Sequence, residues 1–141
     1  MSNLSGYSNV TLRVASALEG IVGKEHVTTS KPILMSYVAR GIMGLESTAP
    51  EVVVRPKKVE EIRDILVLAN EGRIPVTPMS GGLSGGFACP LIEPGGILLD
   101  LSRMNRIIEV DTDCRYVVVE PGVTSGAIWT YFKKNYPEWA P

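Results

Sequence analysis

Residues 51–78, "EVVVRPKKVEEIRDILVLANEGRIPVTP", change their hydrophobic period twice, and this constrains the fold more than any other stretch. A β-branched run ends at Pro56, and Val59, Ile62, Ile65, Leu66 and Ala69 then recur at helical spacing. Glu60 and Glu61 stand where the helix dipole favours them, and Gly72 is expected as the C-cap. "IPVTP" reads as a second strand. The helical stretch is long enough for a crossover, so the segment is read as a βαβ unit with parallel strands and a right-handed connection.

The remaining segments are arranged around that unit. "VTLRVASALEGIVGKEHV" spaces Leu12, Ala15, Leu18 and Ile21/Val22 as a helix face, with Gly20 and Gly23 at its end. "TTSKPILMSYVARGIMGLESTAP" has no sustained period and is expected to wrap over other elements. Further on come three short β-rich runs, "GGILLDL", "RIIEVDTD" and "RYVVVEPG", with "DTDC" as a turn. The last segment, "VTSGAIWTYFKKNY", is helical, capped by Thr124 or Ser125 and stopped by Pro137, with Ile128, Tyr131 and Phe132 on one face. The fold class is α+β: a parallel βαβ subdomain joined to the start of a second, mainly antiparallel one. The divisions are 1–50 (helix and wrapping segment), 51–90 (βαβ unit and glycine-rich loop) and 91–141 (β-rich segment and final helix).

Composition narrows the function. The 141 residues carry 14 basic and 15 acidic side chains, net −1, which gives no electrostatic case for nucleic acid or an anionic membrane. No apolar stretch approaches the ~20 residues of a transmembrane helix. "MSNLSGYSN" has no secretory pattern, so a cytoplasmic location is expected. Cys89 and Cys114 are too far apart for a CxxC site, and His26 is the single histidine, so no metal site is expected. Two free thiols are the preferred reading over a disulfide. His26 reads as a surface-loop residue.

The chemistry concentrates in "PVTPMSGGLSGGFACP", residues 75–90, where Ser80–Gly86 hold four glycines and two serines. Glycine admits positive φ and close approach, so several N–H groups can converge there on one anion, typically a phosphate. Gly81 and Gly86 have the GxxxxG spacing of a Walker loop, but Phe87 and Ala88 follow where Lys and Ser/Thr are needed. The glycine doublets also miss the GxGxxG spacing, and a strand-like run follows instead of a helix. A main-chain nest between strands, helped by the Ser80 and Ser84 hydroxyls, survives these tests. A glycine-rich corner with no ligand would have the same composition.

The order "APEVVVRPKKVEEIRDILVLANEGRIPVTPMSGGLSGG", then "GGILLDLSRMNRIIEVDTDCRYVVVEPGVTSGAIW", resembles the FAD-binding domain of the vanillyl-alcohol oxidase/p-cresol methylhydroxylase (PCMH-type) family. It looks most like the glycolate oxidase large subunit and D-lactate dehydrogenase branch, and the resemblance covers nearly the whole chain. It implies a glycine loop that wraps the FAD pyrophosphate through main-chain N–H groups. Carried over, Ser80, Gly81, Gly82, Leu83 and Ser84 form the diphosphate site, flanked by Pro78, Met79, Gly85 and Gly86. Pro121, Gly122 and Val123 would lie against the flavin or its adjoining chain, although they also read as a strand-ending turn.

Three departures qualify the resemblance. Many relatives carry Arg where Met79 stands, and the loop here is shorter. Leu83 occupies the place where some branches link FAD covalently through His, which implies non-covalent binding. Relatives run to several hundred residues, so hydride transfer from a small hydroxy acid needs residues outside this chain. No residue is read as catalytic: Asp100, Glu109, Asp111 and Glu120 are taken as solvated ends or strand-face charges, while Tyr37 and Arg40 are candidates to face the pocket. The alternative is a non-catalytic binding or interaction module. Either reading implies a complementary subunit or self-association, with Trp129, Tyr131, Phe132 and Trp139 as the candidate surface.

Overall fold

Two central strands carry the molecule, apolar throughout except for Asp100 at the end of the second. In the computed structural model, which describes residues 6–38, 48–81 and 95–139, β2 (Val52–Val54) and β4 (Ile97–Asp100) are buried at every position. Strands covered on both faces need no polar alternation, which explains "VVV" and "ILL". They run parallel, with Val52, Val53 and Val54 opposite Ile97, Leu98 and Leu99. β3 (Val76–Met79) pairs parallel with the other side of β4, Val76 opposite Ile97 and Met79 opposite Asp100. The short β1 (Val27–Thr28) adds antiparallel to β2, giving the order β1-β2-β4-β3.

The expected strand–helix–strand unit is therefore present, with its two strands separated. β2 and β3 are parallel, but β4 lies between them. The strand after residue 91, grouped by sequence with the antiparallel part, belongs to the parallel sheet. Gly96 makes its arrival possible: φ is +78°, and a β-carbon there would fall on the Pro75 carbonyl oxygen.

Helices α1 (Leu12–Val22) and α3 (Val59–Gly72) cover one face of the sheet. Leu18 and Val22 of α1 meet Ile65 and Ala69 of α3 over Val52, Val54, Ile97 and Leu99. Burying a side chain such as Leu18 contributes about 1.5–3 kcal/mol. Three residues expected on these apolar faces lie outside the core: Leu12 is 90% exposed, and Val59 and Leu66 also face outward. The C-cap of α3 differs too. Gly72 is the last helical residue, and Arg73 takes the left-handed conformation (φ 50°, ψ 44°). At the other end, Glu61 reaches back to accept a hydrogen bond from Lys57 N–H (2.7 Å), satisfying a donor just before the helix.

The stretch expected to be irregular contains structure of its own. Val27–Thr28 form β1, and α2 (Lys31–Ser36) packs Leu34 onto Val53 and Leu98, on the sheet face opposite α1 and α3. Lys24–His26 form a 3₁₀ turn, and the His26 ring is largely buried rather than out on a surface loop.

The antiparallel part is a hairpin, β5 (Ile107–Asp111) and β6 (Tyr116–Val119), whose turn holds Arg115 at φ +59°. Asp111 Oδ1 closes it by accepting from Cys114 N–H (2.7 Å). Cys114 is free and exposed, while Cys89 lies outside the described residues. Thr124 caps α4 (Ser125–Asn135), its hydroxyl accepting from Ala127 N–H at 3.1 Å. A 3₁₀ turn at Pro137–Trp139 follows.

Candidate functional site

The carboxyl edge of the parallel sheet brings together the two segments singled out in the sequence. β3 ends at Met79 and delivers Ser80 and Gly81 to this edge. There Gly81 lies against the cap of α4: a β-carbon on it would be 3.3 Å from Thr124 Cγ2. The turn at Pro121–Val123 runs immediately before that cap. Gly122 is buried, and its N–H donates to the Met104 carbonyl (2.8 Å). A β-carbon at Gly122 would fall on the Leu101 carbonyl oxygen and lie 2.8 Å from that of Met104. Close approach, rather than positive φ, makes glycine necessary here.

Residues 100–104 join these pieces. Leu101 N–H donates to the Met79 carbonyl (2.8 Å), and Met104 N–H returns to the Leu101 carbonyl (2.9 Å). The start of the glycine loop and the 121–123 turn thus rest on the same short segment. Of the candidate residues, Pro78, Met79, Ser80, Gly81, Pro121, Gly122 and Val123 are at this edge. Gly82, Leu83, Ser84, Gly85 and Gly86 lie outside the described residues, as does Arg40.

Two carboxylates read as solvated charges are buried here. Asp100 is 5% exposed; its Oδ1 accepts from Ser102 N–H and its Oδ2 from the Tyr37 hydroxyl, both at 2.9 Å. Burial, followed by the hydrogen bond to Asp100, pushes the Tyr37 phenol up to about 12, while Arg55 pulls the other way. Tyr37 packs on the cluster of Leu34, Val53 and Leu98, as Met79 does, so it borders the site from the α2 side. Glu120 is 7% exposed and takes three hydrogen bonds from Arg106, through its main-chain N–H (2.8 Å), Nε (2.9 Å) and one terminal nitrogen (2.7 Å). The Arg106 hydrogen bonds hold the Glu120 carboxyl below its ordinary value. Glu120 is thereby fixed one residue before Pro121. Strand position alone gave no hint of this, because both acids sit at strand ends where solvation is the usual outcome. Glu109, by contrast, is exposed as expected.

Both buried acids turn their oxygens toward protein donors, Asp100 to the Ser102 N–H and the Tyr37 hydroxyl, and Glu120 to Arg106, whose guanidinium offsets its charge. The N-terminus of α4, with its partial positive charge, begins beside Gly81. Among the described residues, no group of three or more His, Cys, Asp or Glu could hold a metal ion. No helix among them is long and apolar enough to cross a membrane.

These features define an α+β domain of PCMH type, built around a mostly parallel sheet whose β3 delivers Ser80 and Gly81 to the carboxyl edge. Residues 50–137 match the FAD binding domain family, and the chain belongs to it. The 4-cresol dehydrogenase (hydroxylating) flavoprotein subunit of Pseudomonas putida is 31% identical over 127 residues, covering 87% of this chain and 24% of that protein. The glycolate oxidase subunit GlcD of Bacillus subtilis is 38% identical over 76 residues, 52% of this chain and 16% of that one. Among solved structures, p-cresol methylhydroxylase with substrate bound superposes with a TM-score of 0.79 at 29% identity, over 87% of this chain and 24% of that one. A 4-ethylphenol oxidase from Gulosibacter chungangensis gives 0.80 at 27%, over 92% and 26%. The chain thus spans about a quarter of the length of these two structures.

Proposed function

We propose that this chain is the FAD-binding portion of a flavin-dependent oxidoreductase, and that the loop leaving β3 holds the cofactor's diphosphate through main-chain N–H groups. The contact between Gly81 and Thr124 carries the reading, because it sets the start of that loop beside both a helix N-terminus and the 121–123 turn. Ser80–Gly86 would follow the diphosphate, with Pro78 and Met79 as the stem. Pro121–Val123 would lie against the flavin or its adjoining chain. Leu83, in place of a linking histidine, argues for non-covalent FAD.

When bound, FAD supplies the hydride acceptor, and this chain's residues bind and orient it. The substrate read from the resemblance is a small hydroxy acid, as for the glycolate oxidase subunit. A 4-alkylphenol is the second reading, favoured by the longer match to 4-cresol dehydrogenase. No residue of this chain is assigned a catalytic role, and hydride transfer would draw on residues elsewhere in a longer enzyme. A cytoplasmic location accompanies this reading.

The alternative, a non-catalytic module that pairs with another chain, is favoured by one observation. α4 buries none of its residues, and Trp129 and Trp139 are 40% and 39% exposed, beside Tyr131 and Phe132. A complementary subunit or a second copy would cover that surface. Titrating the purified chain with FAD while following flavin fluorescence separates the two. Saturable quenching at micromolar FAD, with flavin released on denaturation, is the expected result. A folded chain with no response overturns the cofactor reading and leaves the module.

A further inference from the structure

We infer that Asp100 is a positioning residue of the cofactor site, and that its hydrogen bond with Tyr37 couples docking of the α2 segment to the placement of Ser80 and Gly81, where the main chain leaves β3. The inference rests on the reading that FAD binds at the carboxyl edge of the sheet.

An interior carboxylate is expensive to keep unless its partners are well placed. None of the ion pairs formed among the described residues involves Asp100. Its two oxygens serve two different segments instead: Ser102 N–H on its own turn, and the Tyr37 hydroxyl 63 residues away in sequence. Both bonds act on the loop's departure. Asp100 stands in register with Met79, the last strand residue before Ser80 and Gly81. Holding Ser102 sets the 100–102 turn. That turn presents Leu101 N–H to the Met79 carbonyl and the Leu101 carbonyl to Gly122. One carboxylate therefore fixes the main chain against which both candidate binding segments rest.

Tyr37 extends the linkage to α2. It follows that helix directly, and its ring shares a hydrophobic cluster with Met79. With the phenol raised to about 12, the hydrogen bond persists through neutral and moderately alkaline pH. A cofactor held at the carboxyl edge should then steady residues 37 and 38, whose N–H groups donate to Leu34 and Met35 carbonyls.

The test uses the full chain with Asp100→Ala, Asp100→Asn and Tyr37→Phe, read by FAD titration and by amide hydrogen exchange. Asp100→Ala is expected to weaken FAD binding about tenfold. Asp100→Asn should recover most of that loss, because its carboxamide can accept from Ser102 and donate to Tyr37. Tyr37→Phe should weaken binding by roughly two- to fivefold. FAD should slow exchange at the Tyr37 and Val38 amides of the wild type and not in Tyr37→Phe. Leu18→Ala serves as the control: it lowers stability without changing FAD affinity, as any merely structural defect would. A folded Asp100→Ala with wild-type affinity, or Tyr37→Phe that keeps the FAD-dependent protection, overturns the inference. If Asp100→Ala does not fold, Asp100→Asn and Tyr37→Phe decide by the same readings. A wild type that binds no FAD defeats the functional reading, and exchange at Leu101 then decides the positioning role without cofactor. Faster exchange there in Asp100→Ala, with α1 and α3 unchanged, supports that role, and equal exchange overturns it.

Discussion

Gly81 and Thr124 meet across the carboxyl edge of the parallel sheet, so close that a β-carbon on the glycine would stand 3.3 Å from the threonine methyl. The hydroxyl of the same threonine caps α4. Gly81→Ala should therefore cost about 0.5–1.5 kcal/mol, through crowding in a packed contact. Thr124→Ser removes the methyl and keeps the cap. The double variant should be more stable than the sum of the singles predicts, and a denaturation cycle over the four proteins measures that coupling.

Gly122 has no such escape, because its close neighbours are the carbonyls of Leu101 and Met104 rather than a side chain. Gly122→Ala must displace main chain. We expect about 1–3 kcal/mol of destabilisation, read from the urea midpoint, with FAD affinity falling alongside.

α1 offers a contrast within one helix. Leu18 is fully buried between the sheet and α3, whereas Leu12 is 90% exposed. Leu18→Ala should cost about 2–5 kcal/mol. Leu12→Ala should stay within about 0.5 kcal/mol of wild type. Thermal melts of the two variants check this directly.

Tyr37 gives a pH signature. Burial and Asp100 raise its phenol from 10.0 to about 12, so the unfolded chain loses this proton first as the pH climbs. The stabilisation is fully present below pH 10 and is lost progressively between 10 and about 12. Tyr37→Phe should flatten the fall in stability across that window. It should also remove absorbance change from the most alkaline end of the ultraviolet titration; loss of that amplitude near pH 10 instead would show that the phenol is not held by Asp100.

Much of this architecture was legible in the sequence, and the exceptions have physical causes. Residues 51–78 announced β2, α3 and β3 because their periods differ sharply. The place of β4 between β2 and β3 was not legible, since strand order is set by non-local pairing and "ILLD" reads the same at an edge or in the centre. α2 was missed because six residues containing a proline carry less than two turns of periodicity. Gly81 and Gly122 were singled out through composition and resemblance, and both lie at the carboxyl edge. Asp100 and Glu120 were not, because a carboxylate at a strand end is ordinarily solvated, and only the arrival of Tyr37 and Arg106 shows otherwise. Arg73 replaced Gly72 as the left-handed residue after α3, a substitution of roles that no pattern of apolar residues records.

The central position of β4 also dictates an order of assembly. β2 and β3 cannot pair with each other and wait for a strand that the ribosome makes some 20 residues after β3, so two strand edges stand open during synthesis. The sheet can close only once Ile97–Asp100 has emerged and slotted between them, a late, long-range step of the kind that slows folding and exposes chains to aggregation. For this chain, the vulnerable interval of its life lies between the making of β3 and the making of β4.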